Sequence, residues 1–418
     1  MAPVRFGLVG VGGYAEAYHQ AIATLSSNHQ AQLVAVAEWN QEKFGTQLRQ
    51  LTEKGVKIYR SFDEMIAQCR QSLDIIGLPV GIHLHAPMTI RALQAGLNVI
   101  CEKPVAATIQ EVNQMIQVRD QQQKQVVIGY QEIYSPSIQR LKKLMVQQKL
   151  GKLISIKVKG GWPRPLSYYH RNNWGGRLKI NQHWVLDGPA NNALAHYINN
   201  MLYVASAQPE SSALPVSVQA ELYRTWDNET YDTVSFRAQL DNGAKLLFIA
   251  SHCTDRESNP EMTLRCEQAT VIRKFQQGET TIYYHNGQQE KFDDQSFNAR
   301  QLVFEAAIDL LQGGHPAYCS LEIGRAQTLC VNGMHESCPR IFNIPSPEIY
   351  LKEKLFENGE RASDYFKVIN GIDQLIEAAY QHELLFSEMK ISWARKTAEF
   401  ELLDYQHFPC GKITTLEA

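Results

Sequence analysis

Residues 4–15, Val4-Arg5-Phe6-Gly7-Leu8-Val9-Gly10-Val11-Gly12-Gly13-Tyr14-Ala15, leave this chain few folds to choose from. A compact apolar run ends in glycines spaced GxGxxA, and a helix-forming segment, residues 16–22, follows at once. Glycines there permit a tight turn and let a pyrophosphate approach backbone N–H groups at the helix N-terminus. Ala15 stands where a small residue lets the helix pack on the strand. A second apolar run, residues 32–37, ends in Glu38. An acid at that tip can accept hydrogen bonds from both hydroxyls of an adenosine ribose and repels a 2′-phosphate, which favours NAD(H) over NADP(H).

The alternation continues. Residues 56–59 lead into a helix around 62–66, residues 73–79 read as a strand, and 86–96 as a helix closed by Gly96. Residues 99–101 form a fifth strand, 109–121 a helix and 126–130 a sixth strand. This spacing predicts a doubly wound parallel sheet. The fifth strand ends in Glu102-Lys103-Pro104. Ligands of open α/β sheets gather at the carboxyl ends of the strands, so Lys103 is predicted to point into the crevice where chemistry occurs.

At 418 residues two domains are the natural division. A formal net charge of −2 gives no bulk electrostatic case for nucleic acid or anionic membranes. The start runs directly into a strand and reads as carrying no signal peptide, and no apolar run is long enough to span a bilayer. The eight cysteines show no CxxC pair, so they are read as reduced and the compartment as cytoplasmic. The histidines show no HxxxH or HExxH spacing, and no metal is expected.

GxGxxA, Glu38, Leu78-Pro79, a histidine ahead of Ala92-Leu93-Gln94-Ala95-Gly96, Glu102-Lys103-Pro104 and Gly129-Tyr130-Gln131 follow one another in an order that resembles the Gfo/Idh/MocA oxidoreductases. These are the relatives of glucose–fructose oxidoreductase and inositol dehydrogenase. The resemblance is specific over residues 4–136 and patchy to about residue 200. It implies an α/β chain: an N-terminal Rossmann domain over residues 1–130, then an α+β substrate-binding and oligomerisation domain over 131–418. It also implies cofactor contacts at Gly10, Gly12, Gly13, Tyr14, Ala15, Glu38, Leu78, Pro79, Glu102, Lys103 and Gln131. The loop 80–85 looks longer than the family's, and His85 is favoured over His83 for the cofactor side from its spacing to Ala92-Leu93.

From about residue 153 the texture changes to polar/apolar alternation, over 154–159, 216–223, 233–240 and 245–250, with a hairpin turn at 241–244. This predicts a large, mainly antiparallel open sheet with one face packed. The other face, over residues 216–284, is expected to join copies into a homo-dimer or homo-tetramer. Residues 364–389 read as one amphipathic helix.

Asp187 before Gly188-Pro189 reads as the N-cap of a helix that would carry Asn192 and His196 on one face. The resemblance implies Asp and His at this pair, beside the lysine. Here Asn192 replaces the acid, and Asp187 is expected to face elsewhere. Restoring a carboxylate, Asn192→Asp, is therefore expected to raise activity or shift the pH optimum if nothing but that acid has been lost, and mainly to raise KM if Asn192 contacts substrate. Tyr169, Arg171 and Trp174, within a polar–aromatic cluster that also holds Arg164 and Tyr168, join Lys103, Asn192 and His196 as candidate substrate contacts. The function expected is NAD-dependent hydride transfer between nicotinamide and a hydroxyl-bearing carbon of a sugar or polyol. His196 would be the acid/base, Lys103 the cation at the developing alkoxide, and Asn192 would orient substrate or histidine. Two other readings stay open: an NAD-dependent glycosidase or lyase with transient oxidation, and a non-catalytic dinucleotide-binding regulator.

Overall fold

The computed structural model describes residues 2–294, 298–355 and 361–411. The chain forms two compact units, and each is taken by itself.

The first unit is built on six parallel strands: β1 (Val4–Val9), β2 (Ala31–Ala37), β3 (Lys57–Tyr59), β4 (Ile75–Leu78), β5 (Asn98–Cys101) and β6 (Val126–Ile128). The order β3-β2-β1-β4-β5-β6 is that of a doubly wound sheet, whose strand order reverses beside β1. Connecting helices are α1 (Ala15–Ser27), α2 (Gly45–Glu53), α3 (Phe62–Cys69), α4 (Ile82–Gln94) and α5 (Ile109–Gln122). Phe6, Leu8, Ile76 and Ile100 are buried, as near-continuous apolar strands require of a sheet covered on both faces. Where the sequence suggests one boundary at residue 130, the unit comprises residues 1–106, 110–135 and 296–325. The returning stretch includes α9 (Ala299–Leu311), whose Phe304 ring meets Tyr18 edge-on at 4.9 Å. Periodicity within a segment carries no record of such a return.

The second unit carries α6 (Pro136–Val146), β7 (Leu153–Gly161), the single turn α7 (Leu166–Tyr169), a two-residue hairpin β8 (Lys179–Ile180) and β9 (His183–Trp184), and α8 (Ala195–Ala205). Strands β10 (Pro215–Arg224), β11 (Thr233–Leu240), β12 (Lys245–Ser251), β13 (Ser258–Cys266), β14 (Ala269–Lys274), β15 (Glu279–Tyr284) and β16 (Gln289–Asp293) follow. With β7 they make a sheet ordered β16-β15-β14-β13-β7-β12-β11-β10, antiparallel except at β7–β12. The later elements are α10 (Leu321–Ser337), β17 (Phe342–Asn343), a hairpin of β18 (Ile349–Leu355) and β19 (Arg361–Ile369), α11 (Ile372–His382) and β20 (Phe400–Glu401).

This C-terminal segment corrects two expectations. Residues 364–389 are not one helix: β19 ends at Ile369, Gly371 at φ +69° opens α11, and Glu383 in a left-handed conformation closes it. The sheet face expected to lie open is covered in its middle. Lys157 on β7 donates to the Tyr380 carbonyl, Lys159 pairs with Glu377, and Leu247, Ile249 and Tyr223 join one apolar cluster with Ile372, Ile376, Phe386 and Trp393. The chain thus supplies in cis much of the cover that a partner copy was expected to supply.

One buried cation holds the end of α8. The Lys142 ammonium donates to the carbonyls of Tyr203, Ser206 and Ser211 at 2.6, 2.9 and 2.9 Å, and burial lowers its pKa to about 7. A helix C-terminus leaves carbonyls without intrahelical donors. Lys142→Met, which takes a donor from all three carbonyls, is expected to cost about 3 kcal/mol in urea unfolding. A loss below about 1 kcal/mol would show the carbonyls to be satisfied otherwise.

Candidate active site

The glycine loop leaves β1 at Gly10, whose φ of +91° is open to glycine at little cost. A Cβ on Gly12 would meet the Phe44 ring at 2.4 Å, so the loop is also closed to larger residues from the side. Glu38, buried at the tip of β2, accepts from the Val11 amide at 3.1 Å and the Asn40 amide at 2.8 Å. These bonds hold the carboxylate against the loop. No side chain caps α1, so its first amides are not taken by a cap. His19, one turn into α1, lies 3.1 Å from the Gly10 carbonyl, and burial lowers its pKa.

At the end of β5, Glu102 lies beneath Lys103. It accepts from the Tyr18 hydroxyl at 3.0 Å and from the Lys103 amide at 3.0 Å. Gly129 makes room for it, since a Cβ there would stand 2.6 Å from Glu102 Oε1. Burial raises Glu102 to about 7, against the opposing pull of the Lys103 charge and both hydrogen bonds. Glu102, which the resemblance gives as a cofactor contact, is buried with both oxygens engaged, and through the Lys103 amide it supports the turn that carries Lys103. Gln131 accepts from the Tyr14 hydroxyl at 3.2 Å, joining the loop after β6 to the start of α1.

The raised pKa sets a pH dependence. Between about 4.5 and 7 the folded state retains a proton that the unfolded state has lost, so this group makes stability fall as pH rises. Glu102→Gln should match the parent at pH 4 and exceed it at pH 8 by up to about 3 kcal/mol. Thermal melts at the two pH values check this, and a gain of equal size at both would refute it.

His85 differs from expectation. What looked like a long loop is the first turn of α4, and His85 is fully buried there. Its Nδ1 lies 2.6 Å from the Pro104 carbonyl and its Nε2 3.1 Å from that of Val80, with burial lowering its pKa to about 4. A neutral ring has one N–H, so it donates to one of the two carbonyls. His85 therefore braces the Lys103-Pro104 turn, with both ring nitrogens against backbone carbonyls. His83, half-buried in the same turn, is the histidine less enclosed. Leu78 is fully buried and Pro79 half-exposed at the end of β4.

In the second unit the helix expected from Asp187 starts only at Ala195. Asp187 accepts from the Gly176 amide at 2.7 Å and from Asn192 Nδ2 at 2.9 Å. Asn191 donates to the carbonyls of Val185 and Leu186, both at 3.1 Å. Side-chain bonds of this kind offer the backbone an alternative to helix, and the residue ahead of them, Leu186, sits at φ +51°. Asn192 thus lies ahead of α8 while His196 sits in its first turn, and they share no helical face. Asp187 does not face elsewhere. It is nearly fully buried, with its carboxylate on Asn192.

Of the aromatic cluster, Tyr169 is buried against Trp226 and belongs to the apolar core, so it is not available to a substrate. Its neighbour Tyr168 carries the Arg171 guanidinium 3.7 Å over its ring, and Arg171 also lies 5.1 Å from the Trp174 ring. Asn172 accepts from the amides of Trp174 and Gly175 at 3.1 and 2.7 Å and shapes the turn that presents them. Asp364 on β19 accepts from Ser167, so the C-terminal hairpin buttresses this loop. Sequence reasoning missed His19, Phe44 and His252. It also passed over Trp39, which the signal of an apolar side chain beside Glu38 could have found; it is 83% exposed. Among the described residues, no group of three His, Cys, Asp or Glu side chains could hold a metal, and no helix is long and apolar enough to cross a membrane.

Residues 4–130 match the family described as an oxidoreductase family with NAD-binding Rossmann fold, and residues 138–272 match the GFO/IDH/MocA C-terminal domain. An uncharacterized oxidoreductase of Rhizobium meliloti, ORF334, is 32% identical over 118 residues, 28% of this chain and 33% of the relative. Glucose-6-phosphate 3-dehydrogenase of Bacillus subtilis is 29% identical over 154 residues, 37% of this chain and 41% of that protein. The chain thus spans a third to two-fifths of the length of these curated relatives. The WlbA dehydrogenase of Bordetella pertussis, solved with NADH and UDP-GlcNAcA, superposes with a TM-score of 0.65 at 22% identity, covering 80% of this chain and 95% of that one. At that identity the likeness shows the fold.

Proposed function

We propose that this chain, which belongs to the Gfo/Idh/MocA oxidoreductases, transfers hydride between NAD and a hydroxyl-bearing carbon of a sugar, polyol or derivative. The observation that carries the reading is Glu38, buried against the glycine loop with its carboxylate on the Val11 amide, where it would meet an adenosine ribose and would repel a 2′-phosphate. NAD fits these residues: Gly10, Gly12, Gly13, Tyr14 and Ala15 would hold the pyrophosphate at the uncapped start of α1, and the exposed ring of Trp39 would be open to the adenine. When bound, NAD supplies the hydride acceptor. The chain's own residues handle the proton: His196 as acid/base, Lys103 as the cation at the developing alkoxide, Asn192 as the group that orients substrate. Glu102 and His85 fix the turn that carries Lys103. The relative that acts on glucose 6-phosphate and the neighbour solved with UDP-GlcNAcA support a sugar as substrate.

A panel of sugars and polyols with NAD and NADP, read for NADH by its absorbance and for product, tests the reading. NADH accumulation with NAD is expected. Product without NADH would instead mark transient oxidation, as in a glycosidase or lyase, and saturable NADH binding with no turnover a regulator. Glu38→Ala and Trp39→Ala should each weaken NADH binding in a fluorescence titration, and tighter NADP(H) binding by the unaltered chain would overturn the cofactor assignment. The compartment proposed is the cytoplasm, from cysteines that are free, seven of them buried. For self-association into a dimer or tetramer we propose the outer strands β14–β16, where Tyr283 is exposed. Light scattering that returns a monomer mass at micromolar concentration would remove it.

A further inference from the structure

Arg164 and Arg171 converge on one tyrosine in the second unit. Arg164 follows β7, its guanidinium 5.5 Å from the Trp162 ring and 5.1 Å from that of Tyr168, whose hydroxyl it hydrogen-bonds. Its Nε is buried with no hydrogen-bond acceptor. Arg171 stacks on the same Tyr168 ring and donates to the Tyr168 carbonyl, and most of the rest of its head group faces solvent. Among the described residues neither guanidinium has a carboxylate within ion-pair distance. Asp187, whose charge reaches Tyr168, has its oxygens on Gly176 and Asn192. A buried charged donor without an acceptor is costly, so a ligand that supplied one would be favoured there.

His252 senses the same excess of positive charge. It is 1% exposed, stands edge-on to Tyr168 at 5.6 Å, and has no partner at either ring nitrogen. Burial, with the charges of Arg164 and Arg171, holds it well below its usual pKa, so the pocket adds a neutral imidazole and not a third cation. Trp162 also meets the ring of Tyr197, the residue after His196 in α8, edge-on at 6.0 Å.

We infer that Arg164 and Arg171 form a seat for an anionic group carried by the sugar, a carboxylate or a phosphate, so that the substrate is a sugar acid or sugar phosphate. The planar guanidinium matches either anion, and the flanking Trp162, Tyr168 and Trp174 suit the sugar ring. This rests on reading the second unit as the substrate domain, and its test does not require turnover. Calorimetric titration of the NAD-saturated protein with D-glucuronate, glucose 6-phosphate and glucose is expected to show at least one anion binding on the order of tenfold or more tighter than glucose. Which anion wins separates carboxylate from phosphate. Arg164→Gln and Arg171→Gln should each erase most of that advantage, with NADH titration as the folding control; Arg171, being exposed, keeps the test decisive if Arg164→Gln fails to fold. No preference for either anion, or a preference unchanged in Arg171→Gln, overturns the seat. Anion preference with no NADH from any sugar would sink the dehydrogenase reading and leave the seat standing.

Discussion

Asn192→Asp is expected to lose stability and turnover above neutral pH, and adding Asp187→Asn to the same chain is expected to restore both. The reason is the 2.9 Å bond from Asn192 Nδ2 to Asp187 Oδ1, made where Asp187 is nearly fully buried. A carboxylate at position 192 would put two anions about 3 Å apart, which cannot both ionise without a large cost. The single variant should therefore hold a shared proton, lose about 2 kcal/mol on unfolding at pH 9 and less at pH 6, and turn over at least about tenfold more slowly at the higher pH. In the double variant, with acid and amide exchanged, both bonds can form again. The amide oxygen introduced at position 187 can accept from the Gly176 amide, while its nitrogen donates to the carboxylate introduced at position 192. Urea unfolding and turnover at the two pH values check the cycle. A single variant as stable as the parent and faster at pH 9 would restore the simpler reading, that position 192 has merely lost an acid.

The second large effect concerns the proton-handling groups. Lys103→Ala and His196→Ala should each lower turnover by at least about a hundredfold while leaving NADH binding nearly intact, since positioned acid–base groups contribute about a hundred- to ten-thousandfold. Groups that act together lose together, so the double variant should fall short of the product of the single losses. Lys103 stands on a turn braced by Glu102 beneath and His85 behind, whose bonds are to backbone atoms and persist when its side chain is removed. A large drop is thus read as chemistry and not as collapse of the turn. Full turnover in both variants on a genuine substrate would move the chemistry to other residues.

What the sequence determined by itself was whatever one segment encodes. The GxGxxA loop, Glu38 and the six parallel strands were legible because each strand announces itself by apolar continuity and each turn by its glycines, as with Gly10 at positive φ. The strands 233–240 and 245–250 and their hairpin were legible from alternation alone. Local propensity misled where side chains competed with the backbone: Asp187 and Asn191 look like the start of a helix, yet spend their hydrogen bonds on holding an irregular loop until Ala195.

Only tertiary structure could decide what lies behind each residue. His85 and Glu102 read from the sequence as cofactor contacts, and only the fold shows both to be buried and bonded to the turn around Lys103, because burial depends on what the rest of the chain packs against them. Tyr168 and Tyr169 are adjacent in sequence, but one faces two arginines and the other the core. The return of residues 296–325 to the first unit and the cover of the second sheet by α11 are long-range pairings of surfaces that leave no local period. The Asp187–Asn192 bond is the sharpest case: five residues on an ideal helix would hold these side chains apart, and the fold brings them together by not making the helix.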